Sequence, residues 1–308
     1  MKNRLLLLAF VFVLSAAYAF AQEEFKVLAT KGGNKHQPQG SGVWNPLLVG
    51  KKLLKGDKIT LEENGYLGLA HKNGKTIELK KAGTYEVNKL AGEVSAQNAS
   101  TTKKYVDYLA GEMGKGEEED MAKNRYKYMA VTGSVERGTN EIALFAPSAD
   151  KGVDILNHSV LLKWEPETNT KTYVVQITNL FGEVLHTEET NNNSLVLHLD
   201  NKNEKIYVVK VSSKENAEIF KELRVSYLSA NKNADLNKQL KELKAQLGEE
   251  NALNSLVLAS FYEDHKLYLE AIQAYENAIR QEPEVDDYQI AYGLFLERAG
   301  IAKPVAKK

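Results

Sequence analysis

The chain has 308 residues, with 40 Lys and Arg against 41 Asp and Glu, a formal net charge of -1 and no cysteine. That length allows two or three cores of ordinary size, and the balanced charge supplies no bulk field toward nucleic acid or an anionic membrane, so no nucleic-acid partner is expected. Without cysteine there is no disulfide framework, no thiolate metal site and no lipidated cysteine, so an exported chain of this kind must be held by packing, which fits a bacterial periplasm.

Export is the expectation from the first residues, MKNRLLLLAFVFVLSAAYAFAQ. Lys2 and Arg4 precede the apolar run Leu5 to Leu14, and Ala19 and Ala21 stand before Gln22. This is the layout of a signal peptide over residues 1–21, cut after Ala21. No later run is comparably apolar, so no integral membrane span is expected once that peptide is removed.

From Phe25 to Val94 short β-rich runs (FKVLAT, KITL, YLGLAH, TIELK, TYEV) alternate with the turn residues GD, ENG, KNGK and KKAG. The pattern predicts a β-meander, with Asn73-Gly74 forming a type I′ hairpin turn that requires positive φ at both central residues. The loop GGNKHQPQGSG is rich in Gly, Pro and polar residues and is predicted to be mobile. The stretch LLKGDKITLEENGYLGLAHKNGKTIELKKAGTYEV, within Val43 to Val94, resembles the FecR-type periplasmic domain. In that family the domain lies beyond a membrane anchor and relays the state of an outer-membrane transporter to a cytoplasmic regulator. The domain is expected to span 22–150 with a helical insertion at about 100–128.

Within that insertion STTKKYVDYLAGEM places Tyr105, Tyr108, Leu109 and Met113 on one helical face, with Ser100 or Thr101 as N-cap. The acidic run GKGEEED leads to a weaker helix through Met121 and Tyr128, where Glu119 and Lys123 can pair. These helices read as a connector, and the strands YMAVTGSV and EIALFAP are expected to return to the first β-domain.

Residues 153–228 carry strands at regular intervals: VLLKWEP, TYVVQITN, EVLHTEE, SLVLHL, KIYVVKVSS and FKELRVSYL. Alternation in VVQIT and VVKVS predicts one buried and one solvated face per strand, hence a β-sandwich. Trp164, Tyr173, Leu199 and Tyr207 stand where a fibronectin type III-like sandwich keeps its core residues, and the segment resembles that family. Such modules space or bind. A linker helix follows at 231–248, with Leu236, Leu240, Leu243 and Leu247 on one face and Gly248 at its end.

The last region, 249–308, contains LASFYEDHKLYLEAIQAYENAIRQEP, which resembles a tetratricopeptide repeat. Leu258, Ala259 and Tyr262 match the first helix, Ala271, Tyr275 and Ala278 the second, and Pro283 the stop. Ser255 replaces the tryptophan-like residue and Lys266 the inter-helix glycine. Shifting the frame by one 34-residue period maps Leu258 onto Tyr292, Ala259 onto Gly293, Tyr262 onto Leu296 and Lys266 onto Gly300. Upstream, Ala259 maps onto Val225, inside a strand. The expectation is one and a half repeats, too few to bury their own faces, so they must lean on the leucine helix, on the sandwich or on another chain. Tyr262, Tyr275, Tyr292 and Leu296 are the candidate protein-interaction residues.

No catalytic group, metal site or cofactor is expected. Ser100-Thr101-Thr102-Lys103 matches S-x-x-K but lacks the K-T-G partner of the enzymes that use it, and reads better as a helix start. The six histidines, His36, His71, His158, His186, His198 and His265, show no ligand spacing, although His186 and His198 can face each other across strands. Glu117 to Asp120 lacks the alternation of a calcium loop. The fold class expected is multidomain and mainly β, a β-meander domain plus a β-sandwich, with an all-α helical-repeat tail. The function expected is a non-enzymatic periplasmic scaffold or adaptor, with other envelope proteins as partners or self-association through the repeat. The alternatives are a FecR-like sensing component of a transporter or sigma-factor circuit, and a glycan-binding or hydrolytic protein.

Overall fold

A computed structural model describes residues 22–94, 100–113, 141–147, 152–199 and 204–301. The expected signal peptide, the helix through Met121 and Tyr128 and the strand YMAVTGSV lie outside those residues. The N-terminal and middle regions are built of β-sheets and the C-terminal region of helices.

The first region runs through β1 (Glu23–Lys31), β2 (Lys35–Gln37), β3 (Asn45–Pro46), β4 (Lys52–Leu54), β5 (Lys58–Leu61), β6 (Tyr66–His71), β7 (Thr76–Leu79), β8 (Gly83–Glu86) and helix α1 (Val87–Glu93). It is not a meander. Its strands form two sheets, ordered β4-β1-β6-β7 and β3-β2-β5-β8, and only the β2–β3 and β6–β7 pairs join strands adjacent in sequence. Burial sets this order. Every residue of YLGLAH in β6 is buried, and β1 buries residues on both faces, so these two strands take the sheet centre while the short, lysine-bearing β4 takes an edge.

Phe25, Val27, Leu67 and Leu69 point into the core between the two sheets, while Leu28, Ala29, Tyr66 and Ala70 point the other way, toward helices. A register shift between Val27 and Ala29 breaks the strict alternation of β1 and lets consecutive residues Leu28 and Ala29 share one face.

Two turn expectations are corrected. The β6–β7 connection is not type I′. Gly74 alone has positive φ, at 95°, its N–H donates to the His71 carbonyl, and the Asn73 side chain accepts from the Lys75 N–H. That is a type I turn closed by a left-handed glycine, the longer hairpin loop that the flanking Lys72 and Lys75 make room for. The loop predicted to be mobile contains β2, whose buried His36 pairs with Asn45 and Ile59; the Asn34 side chain, bonded to the Lys31 and Tyr66 carbonyls, anchors its start.

The middle region comprises β9 (Val153–Ile155), β10 (Ser159–Lys163), β11 (Tyr173–Thr178), β12 (Val184–Thr190), β13 (Ser194–His198), β14 (Ile206–Ser213) and β15 (Phe220–Tyr227). A five-stranded sheet, β12-β11-β14-β15-β9, faces the pair β10-β13, and β9 runs parallel to β15. Burial alternates residue by residue along β11 and β14, so one face of each fills the core with Trp164, Tyr173, Leu199 and Tyr207. EIALFAP does not return to the first β-region: Ile142 and Leu144 pack into this second core and Leu144 bridges Trp164. The apolar demand beside Trp164 captures the segment.

The helices are α2 (Ser100–Met113), α3 (Ala230–Leu247), α4 (Ala252–Asp264), α5 (Tyr268–Gln281) and α6 (Asp286–Arg298). Tyr105, Leu109 and Met113 of α2 are buried as their spacing predicts, but α2 is no free connector, because it packs on α3, α4 and β1. The leucines of α3 are buried as expected. One core joins α2, α3, α4, α5 and α6 to the outer face of β1 and β6 and to Phe145 and Leu156. The helical segment therefore packs against both β-regions.

The ends of α4 and α6 are alike in the backbone: Lys266 and Gly300 both have positive φ, 60° and 67°. Leu267 N–H returns to the Tyr262 carbonyl and Ile301 N–H to the Leu296 carbonyl. Both α4 and α6 thus end in the same left-handed cap with an apolar residue just beyond it.

Candidate functional site

The four residues expected to meet a partner are all buried. Tyr275, Tyr292 and Phe295 stack, with Tyr275 and Tyr292 centroids 5.5 Å apart and Tyr275 and Phe295 5.0 Å apart. Leu296 is fully enclosed beside them. As partner-facing residues Tyr275, Tyr292 and Leu296 are corrected to core: α6 folds back on α5 while β1 and β6 cover α6, through Thr30 N–H to Asp287 at 2.7 Å and the Tyr66–Tyr288 hydroxyl pair at 2.6 Å. Tyr262, also buried, lines an opening.

That opening is a cleft of about 600 Å³ bounded by the 157–159 loop, the end of α3, and α4 and α5. Three different folding requirements bring its walls together. Gly248, at φ 81°, stops α3 and turns the chain. Asn251 caps α4 by accepting from the Asn254 N–H at 2.8 Å. Leu269 of α5 is inserted into the core of the middle sheets, which fixes the first turn of α5 against β9 and β10.

At the base of the cleft stands Glu270, 2% exposed. Its Oε1 accepts from the Leu156 N–H at 2.7 Å and the Asn157 N–H at 3.1 Å. Its Oε2 is shielded from solvent and has no donor. Burial pushes the carboxyl up to about 6, against the opposite pull of those two N–H groups, with the Asp154 charge adding to the rise. Burial likewise pushes the Tyr262 hydroxyl up to about 12, against the pull of the Asn157 side chain. An unmet buried acceptor of this kind costs about 1–3 kcal/mol, so a donor arriving from the cleft is favoured.

The rim adds charge. Glu249, Glu250 and Lys244 line the cleft and are exposed, so its charged lining is three carboxylates against one ammonium, with His158 alongside. Gln273 and Asn277 supply neutral amides on α5. The arrangement can accept hydrogen bonds from a cation and exchange them with a polar backbone, and at its edge the Ser159 hydroxyl lies 3.0 Å from His198 Nδ1. Among the described residues no cluster of His, Cys, Asp and Glu is placed to hold a metal ion.

The histidine pair expected across strands is split between two sheets. His186 on β12 approaches Glu188 at 3.4 Å and His198 on β13 bonds Ser159 at 3.0 Å. Sequence reasoning missed Glu270, because an acid in the first turn of a helix ordinarily reads as a favourable partner of the helix dipole. The available signal is its place between Leu269 and Ala271, on the apolar side of the helix.

No protein-family model matches the chain, and no curated protein is significantly similar to it. Among the described residues no helix is long and apolar enough to cross a membrane.

Proposed function

We propose that the protein is an exported, non-enzymatic scaffold or adaptor of the bacterial envelope, acting through protein–protein contact from the periplasm. The observation that carries this reading is the shared core: the helical segment packs on both β-regions, so binding surfaces on each are held at fixed spacing. A fixed spacing is what an adaptor needs, since it removes the ordering cost of docking two sites at once.

The finer module assignments belong to the same proposal. A FecR-type domain in the first β-region is supported by the Gly56-Asp57 turn, where Gly56 has φ 92° and Asp57 accepts from the Leu54 and Gln39 N–H groups. A fibronectin type III-like sandwich at 153–228 is supported by the facing sheets around Trp164, Tyr173, Leu199 and Tyr207. A tetratricopeptide tail at 249–308 is supported by the twin caps at Lys266 and Gly300. Exposed apolar side chains at the β11–β12 turn and edge, with Phe181 90% exposed beside Leu180 and Val184, add a surface suited to a protein partner.

Crosslinking in intact cells followed by capture of the full chain tests the reading. A reproducible set of envelope proteins, reduced by Phe181→Ser, is the expected result. Robust turnover in a broad hydrolase screen, or no crosslinked partner at all, would overturn it.

A further inference from the structure

The cleft beneath the 157–159 loop has the makings of a specific receptor rather than a surface dent. Its base holds a carboxylate that is 2% exposed and half-satisfied, with Oε1 occupied by two backbone N–H groups and Oε2 by none. Its rim holds two further exposed carboxylates, Glu249 and Glu250, which form no ion pair among the described residues. Lys244 is the single opposing charge of the lining. A ligand complementary to this set carries positive charge and donates N–H bonds.

We infer that the cleft receives a lysine or arginine side chain presented by a partner protein, its charged group drawn past Glu249 and Glu250 toward Glu270. This deepens the adaptor reading and rests on it for the identity of the ligand as a protein. A side chain on a peptide suits the walls better than a free ion. The Gln273 amide, able to donate and accept, and the Asn277 NH2, whose own oxygen accepts from Arg280 Nη2 at 2.6 Å, line the same cleft and match the needs of a peptide main chain. The volume of about 600 Å³ accommodates a long side chain with its flanking backbone. Leu258 and Ala274 supply apolar wall for the methylene stem. A bound water satisfying Oε2 is the competing occupant, and the test separates the two.

The full chain from residue 22 onward is titrated with the capped tripeptides Gly-Lys-Gly, Gly-Arg-Gly and Gly-Glu-Gly, following the side-chain amide resonances of Gln273 and Asn277. Saturable shifts with the two basic peptides and none with the acidic one are expected. Glu270→Gln, which keeps the acceptor for Leu156 and Asn157, and the rim variant Glu249→Gln/Glu250→Gln should each weaken binding at least about five-fold. Equal binding by Glu270→Gln and the unmodified chain, or no saturable shift with either basic peptide, overturns the inference and leaves water as the occupant. Crosslinking with the same variants keeps the two readings apart. Partners retained by both variants, with no peptide binding, sink the cleft and leave the adaptor; basic peptides bound by a chain that captures no partner sink the adaptor and leave the cleft.

Discussion

Glu270 is the residue whose environment departs furthest from its type. Its carboxyl is raised from 4.5 to about 6 by burial, so the fold favours the protonated form. The contribution of this group to stability is therefore greatest below pH 4.5 and falls as pH rises through 4.5 to 6, by about 2 kcal/mol, then stays flat. Asp154, whose charge adds to the rise, and Tyr262 face it. Urea unfolding at pH 4.5 and pH 7 is expected to show Glu270→Gln gaining about 2 kcal/mol relative to the unmodified chain across that interval. Glu270→Ala instead strips the acceptor from two buried N–H groups and should lose about 1–3 kcal/mol at either pH. A constant difference between Gln and Glu at both pH values would refute the raised carboxyl.

Lys266 makes a second residue-scale case. An L-residue in the left-handed region costs about 1–2 kcal/mol, which Gly escapes, although Gly also loses more entropy on folding. Lys266, exposed at φ 60°, stands where the repeat resemblance implies a glycine, while Gly300, at φ 67°, ends α6 with one. Lys266→Gly should raise the thermal midpoint, by about 0.5–1 kcal/mol of stability, whereas Gly300→Ala should lower it by a similar amount. The opposite order would show that the two caps are not equivalent.

At the scale of elements, four helices are tied to one carboxylate. Glu263 on α4 accepts from Arg298 of α6 through Nε at 2.8 Å and Nη2 at 3.0 Å, from Tyr108 of α2 at 2.8 Å and from Tyr275 of α5 at 3.2 Å. Glu112 of α2 stands 3.5 Å from the same guanidinium. Glu263→Ala leaves Arg298 short of its bidentate partner and two tyrosine hydroxyls without an acceptor, and should cost about 3 kcal/mol in denaturant unfolding. A loss below about 0.5 kcal/mol would mean that the knot is a surface pair in effect. Close approach matters equally at β6, where a Cβ on Gly68 would lie 3.3 Å from Leu253 of α4. Gly68→Val should force strand and helix apart and destabilise by about 1–3 kcal/mol, measured the same way.

These elements differ in how far they could be read from residue order. The apolar faces of α2 and α3 and the alternation of β11 and β14 are periodic, and periodicity survives any tertiary arrangement, so they lie where expected. The knot on Glu263 joins residues from Tyr108 to Arg298 and leaves no local trace. Tyr275, Tyr292 and Leu296 were legible as repeat residues, but repeat residues fill gaps between helices first, and their burial follows from a neighbour that the repeat pattern does not name.

For the whole molecule, the helical core that packs on both β-regions predicts a single cooperative transition. The outer face of β1 and β6, including Leu28, Ala29, Tyr66 and Ala70, is buried by α2 and by the C-terminal helices, in one core with them. Tryptophan fluorescence, from the buried Trp164 and the more exposed Trp44, and far-UV circular dichroism should therefore report one midpoint in urea. Two separated transitions would show that the β-regions fold on their own. For the same reason, removing residues 249–308 should expose that face and drive the remainder into aggregates, so point variants are the better probe of docking.

Residue order by itself determined the long periodic elements, such as α2, α3, β11 and β14, and which side of each is apolar, because these depend on neighbours a few positions away; it did not find β2, β9 or α1. Tertiary structure alone decided the strand order of the first region, the capture of EIALFAP by the Trp164 core, the partner that covers the half-repeat, and the unmet oxygen of Glu270. Periodicity records that a face must be buried; what it is buried against is settled by shape and by the competition of every other apolar face in the chain.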